Sequence, residues 1–116
     1  MHFRTPQTQK AYDDLKKKGH LKQGCPLCDA PSLHEFTYWR IIDNRFPYDK
    51  ISAVHHMLVP KRHIIERELT PQEHEELLAV KDTYLKEEYA YILEALGTQK
   101  SIPKHIHFHL LVPKDF

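Results

Sequence analysis

The stretch His105-Ile106-His107-Phe108-His109-Leu110-Leu111 sets three imidazoles in strict alternation with large apolar side chains. Side chains of an extended chain point alternately to opposite faces. The spacing therefore predicts a strand over 105–112, with the three histidines on one face at roughly 6.6 Å intervals and Ile106, Phe108 and Leu110 in a core on the other. Rings that titrate near neutrality are an odd choice for a face that is merely solvated. Three readings stand on these residues alone: a polar strand surface, affinity for adventitious metal, and a zinc hydrolase whose histidines share one ion and activate water.

Working back from that strand, Thr70-Pro71-Gln72-Glu73 is a capping box with proline at the first helical position. Leu77, Leu78, Leu85, Tyr89, Ile92, Leu93 and Leu96 follow on one broad face, and Gly97 ends the pattern, so the spacing predicts one long helix over 71–96, roughly 39 Å at ~1.5 Å per residue. A strand is expected from Ala53 to Val59, stopped by Pro60, and another from Phe36 to Ile42, broken by Asn44-Arg45-Phe46-Pro47. Thr5, Pro6 and the Lys16–Lys18 run ahead of Gly19 frame a short amino-terminal helix. Helices and strands in this order make an α+β domain, an antiparallel sheet with helices on one side.

The 116 residues allow one domain, 1–116, and neither a repeat nor a Gly/Ser linker divides it. Three well-separated glycines exclude a dinucleotide fingerprint and a Walker-type loop, so phosphate recognition falls to side chains and helix ends. With 17 Lys and Arg against 16 Asp and Glu, the chain lacks the basic excess of a nucleic-acid-coating domain. No signal-peptide pattern and no apolar run of bilayer length occurs, which leads to the expectation of a cytoplasmic protein without membrane partners. Cys25-Pro26-Leu27-Cys28 has the spacing of half a tetrahedral metal site, or of a redox pair.

The histidine stretch resembles the His-apolar-His-apolar-His-apolar-apolar pattern of the histidine-triad (HIT) superfamily. Leu58-Val59-Pro60-Lys61-Arg62-His63-Ile64 resembles its Pro-Lys-x-His-Ile segment, and the paired cysteines resemble those of its zinc-containing branch, all in order over 25–112. The resemblance implies a five-stranded antiparallel HIT sheet and a homodimer. It also implies nucleotidyl transfer or hydrolysis at the α-phosphate of nucleoside phosphoramidates or dinucleoside polyphosphates. His107 would be the nucleophile, His109 would donate to the phosphoryl group, and His55, preferred over His56 on the same strand, would line the site. A structural zinc would be held by Cys25, Cys28, His63 and His105, with His34 as the competing fourth ligand.

Asn44 resembles a ribose-contacting asparagine, although Asn-Arg-Phe-Pro also reads as an ordinary turn. Phe46 and Tyr48 are placed to flank a base or simply to pack. The segment before His105 departs from the family's Gly-Gln-Ser/Thr-Val pattern: Ser101 stands four residues ahead, with Pro103 intruding. Ser101 is the phosphate-binding candidate there, with Lys100 or Lys104 adding charge. That departure keeps a second reading open, a nucleotide-binding HIT module without catalysis.

Overall fold

A computed structural model describes residues 3–17, 25–96, 102 and 104–114. Ser101, Lys100 and the expected stop at Gly97 lie outside the described residues. Five strands form one antiparallel sheet in the order β1-β2-β3-β5-β4. They are β1 (Ser32–Glu35), β2 (Trp39–Asp43), β3 (Ser52–Pro60), β4 (Tyr91–Leu93) and β5 (Phe108–Pro113). The helices are α1 (Pro6–Lys17), a four-residue α2 (Pro26–Asp29) and α3 (Pro71–Val80), which runs on through a π turn (Lys81–Leu85) and a last α turn (Lys86–Glu88).

The sheet has two differently furnished faces. Trp39, Ile41, Leu58, Ile106, Phe108 and Leu110 pack against Leu77, Val80 and Leu85 of the long helix. Ile42, Met57 and Val59, alternating with those residues, turn the other way and pack against Leu27 of α2. The expected single helical layer is thus incomplete, because the short Cys-bearing helix lies on the face opposite α3. The capping box at Thr70 is formed in both directions: Glu73 N–H donates to Thr70 Oγ1 at 3.1 Å, and Thr70 N–H donates to Glu73 Oε1 at 2.8 Å.

Three expectations are corrected. The helix does not reach Leu96: Tyr89 is already extended, at φ −132° and ψ 154°. Ala90 N–H then donates to Leu111 O at 3.0 Å, and Tyr91–Leu93 pairs with β5. The aromatic and β-branched residues that continue the helical spacing also suit a strand, and the open edge of β5 supplies the backbone partners that decide between them. The strand read over 36–42 is a hairpin instead. Its turn is held by Glu76, whose carboxylate accepts the amides of Thr37, Tyr38 and Trp39 at 2.7–3.2 Å. Lastly, ladder pairing of the final strand begins at Phe108, not His105. Its neighbour β3 ends at Pro60, which has no N–H, and the Pro60 carbonyl accepts from His105 Nε2 at 3.1 Å. The alternation of faces nevertheless holds from Ile106 onward, with Ile106, Phe108 and Leu110 in the helix-side core.

Candidate functional site

β3 and β5 set the register of the site. His109 lies opposite Met57, so it shares a face with His55 one pleat away, and His55 Nε2 approaches His109 Nδ1 at 2.8 Å. The Tyr48 amide donates to His55 Nδ1 at 2.9 Å. A backbone N–H has no other role, so neutral His55 carries its proton on Nε2 and donates it to His109 Nδ1. His109 in turn carries its proton on Nε2, 3.5 Å from Tyr48 Oη. Burial, followed by the charge of Arg4, pushes His55 down to about 3, and burial followed by the charge of His55 does the same to His109. Both rings are neutral at pH 7.

His107 lies beside this pair, its ring centroid 5.3 Å from that of His109, and its Nδ1–H donates to the carbonyl of His105 at 2.9 Å. The tautomer thus leaves the lone pair on Nε2. A shallow cleft lies against His107 and His105, lined also by Ile65, Glu66, Glu94, Ala95 and Ile102.

On the same face, Cys25, Cys28, His63 and His105 converge, one ligand atom from each lying within 4.8 Å of all the others. The Sγ to Nδ1 separations of 3.2–3.4 Å are close to the roughly 3.5 Å edges of a tetrahedron with ~2.3 Å sulfur and ~2.0 Å nitrogen bonds. His105 donates from Nε2 to Pro60 O, which leaves Nδ1 as the ligand atom. Burial, then the hydrogen bond and charge of Cys25, push the Cys28 thiol up to about 11, so a cation is what would bring this thiol to the thiolate form. The cluster fits a metal ion, and both cysteines are free rather than disulfide-bonded.

The knuckle is anchored by a residue that sequence reasoning missed. Arg40, buried on β2 beside Ile42, donates to the carbonyls of Leu27, Cys28 and Ala30 and to Ser32 Oγ. Nothing in local sequence marks Arg40, because its acceptors are backbone atoms.

His56 turns to the opposite face and bonds Tyr89 Oη at 2.7 Å. His34 stacks on Tyr84, centroids 4.4 Å apart, and takes no part in the metal cluster. Asn44 forms the turn, its Oδ1 accepting the Phe46 amide at 2.8 Å, and its side-chain amide lies 3.1 Å from His55 Nε2. Phe46 packs edge-on against Tyr12, whereas Tyr48 covers His55 and His109, centroids 4.4 and 5.0 Å away.

This arrangement of sheet and helices has counterparts among solved structures. A HIT-like protein superimposes with a TM-score of 0.54 at 19% identity, over 83% of this chain and 95% of its own. The chain has the HIT fold. A HIT family hydrolase from Clostridium thermocellum superimposes with a TM-score of 0.50 at 18% identity, over 87% of each chain. No protein-family model and no curated protein sequence matches the chain. In this chain His105 and His107 lead into the last strand and His109 lies within it, with His105 beside the Cys-bearing knuckle. Among the described residues no helix is long and apolar enough to cross a membrane.

Proposed function

We propose that the protein is a nucleotide hydrolase or nucleotidyl transferase that acts at the α-phosphate through a covalent nucleotidyl-histidine on His107. The observation that carries this reading is the hydrogen bond from His107 Nδ1–H to the carbonyl of His105, which holds the ring in one orientation and makes Nε2 the nitrogen that would attack. Nε2 attacks phosphorus as the bond to the leaving group breaks, and water or another acceptor then cleaves the P–N bond and restores His107. His109 is suited to donate from Nε2 to the phosphoryl oxygens, with His55 fixing its tautomer. Asn44 and Ser101 are the further nucleotide contacts of this reading. A HIT family hydrolase among the structural neighbours supports an enzyme.

The metal of the Cys25, Cys28, His63 and His105 site is, in this proposal, zinc, since two thiolates with two imidazoles suit that ion. Four protein donors close a tetrahedron and leave no position for water, and His107 and His109 are outside the group, which favours a structural ion over a catalytic one. When bound, the ion ties α2 to the segment that carries the nucleophile. We further propose a homodimer, for which the exposed Tyr91 and Ile92 of edge strand β4 offer an apolar, unpaired border. Free thiols beside imidazoles suit a reducing cytoplasm.

The test is release of nucleoside monophosphate from adenosine 5′-phosphoramidate and from diadenosine polyphosphates. His107→Ala is expected to lower the rate by about a thousandfold or more at unchanged melting temperature. An active His107→Ala protein contradicts the reading. Tight nucleotide binding without turnover across a broad panel would instead identify a non-catalytic binding module.

A further inference from the structure

The amino-terminal segment carries a cation to Tyr48, the ring that covers His55 and His109, and neither the fold nor the sequence pattern announces it. Phe3 O accepts the Lys50 amide at 2.9 Å and the Thr5 amide donates to Asp49 at 2.8 Å, so residues 3–5 are tied to the β2–β3 connection. Between them, Arg4 donates from Nε to Phe46 O at 2.7 Å. Its guanidinium carbon lies over the Tyr12 ring at 4.3 Å and over the Tyr48 ring at 5.0 Å. Tyr48 is the residue that covers His55 and His109 on its own account.

Arg4 has one further property that sets it apart from Arg40 and Arg62. Arg40 spends its guanidinium on backbone carbonyls, and Arg62 spends its own on Glu73 and Glu68. The four Nη hydrogens of Arg4 have no acceptor among the described residues. Asp49, the carboxylate in this corner, is occupied by Thr5 and Thr8. Tyr12, against which Arg4 lies, has a buried hydroxyl that likewise lacks a partner among the described residues. The His55–His109 pair beside it is neutral, so those two rings bring no charge to a polyanionic ligand. A fixed, half-buried guanidinium with an unspent fork is suited to phosphate oxygens.

We propose that Arg4 is the cationic contact for the phosphate chain of the nucleotide, so that binding strengthens with each phosphate added. The proposal rests on the nucleotide reading of the triad and names its preferred class: nucleotides with more than one phosphate, such as dinucleoside polyphosphates, over phosphoramidates. It assigns to the amino-terminal arm a task that the glycine-poor sequence withholds from any phosphate loop.

The experiment is calorimetric titration of the metal-loaded protein with AMP, ADP, ATP and inorganic triphosphate. Affinity is expected to rise from AMP to ATP. Arg4→Met, which keeps apolar bulk over the two rings, is expected to weaken ATP and inorganic triphosphate about tenfold or more and AMP by less, flattening the series. Arg4→Lys is expected to recover part of it. Equal losses for all three nucleotides, or none, overturn the proposal, since a merely structural arginine would not distinguish phosphate number. Failure of the wild type to bind any nucleotide sinks the nucleotide reading itself. Inorganic triphosphate then decides the role of Arg4 alone: a tenfold loss in Arg4→Met upholds an anion contact, and equal or absent binding removes it.

Discussion

His55 and His109 meet at 2.8 Å in a buried contact that admits one proton between two facing nitrogens. An unfolded histidine takes up a proton near pH 6.5, whereas burial holds both of these rings neutral down to about pH 3. Between those values the unfolded chain binds more protons than the folded one, so stability rises with pH and is lost as pH falls below about 6.5. Each such ring adds a slope approaching ~1.4 kcal/mol per pH unit. Urea denaturation of His109→Asn between pH 6.5 and 5 is therefore expected to show a slope shallower than wild type by about 1 kcal/mol per pH unit. Identical slopes would mean that the pair is not held neutral. Strand parity puts His55 and His56 on opposite faces and the family resemblance favours His55 as the inward one; His56 does turn away to Tyr89. Arg4 was not legible, since its partners Phe46 and Tyr48 lie more than forty residues away and are joined to it only by the fold.

Among the elements, the Cys knuckle shows how short structure is held without a core of its own. α2 has four residues and one buried side chain, Leu27, far too little to fix two thiols. Arg40 does so from the sheet, by donating to the carbonyls of Leu27, Cys28 and Ala30 and to Ser32 Oγ. Arg40→Lys removes the planar fork while keeping the charge. Zinc affinity measured by chelator competition is expected to fall about tenfold or more in that variant, and the visible spectrum of the cobalt-substituted site to broaden. An unchanged affinity would leave Arg40 as packing alone. The long helix teaches the complementary lesson. Its start was legible from a local motif, the capping box at Thr70, which forms as read. Its end was not, because Tyr91–Leu93 satisfies helical and extended patterns equally and is settled by the free edge of β5, a non-local fact.

At the scale of the whole molecule, one sheet separates two tasks. Its helix side carries the larger apolar core, and its other side carries the metal cluster, the neutral histidine pair and His107. The α+β class and antiparallel sheet were legible because strand alternation is written into 105–112, a Pro-stopped strand into 53–59 and helical spacing into the segment that follows Thr70. The hairpin at 32–43 was hidden, since its turn depends on Glu76 reaching across from α3 to three backbone amides. The four metal donors were gathered as the family resemblance implied, from segments up to eighty residues apart. In the proposed reading the reacting group is the oriented imidazole of His107, and the account stands or falls on whether it bonds to phosphorus. The direct measurement is to mix the protein with α-labelled diadenosine polyphosphate, denature it within a turnover in alkali, where a phosphorus–nitrogen bond survives, and map the label by peptide mass spectrometry. Nucleotidyl label on His107, absent from His107→Ala, is the predicted result; turnover that leaves no label, or label on another residue, would contradict it.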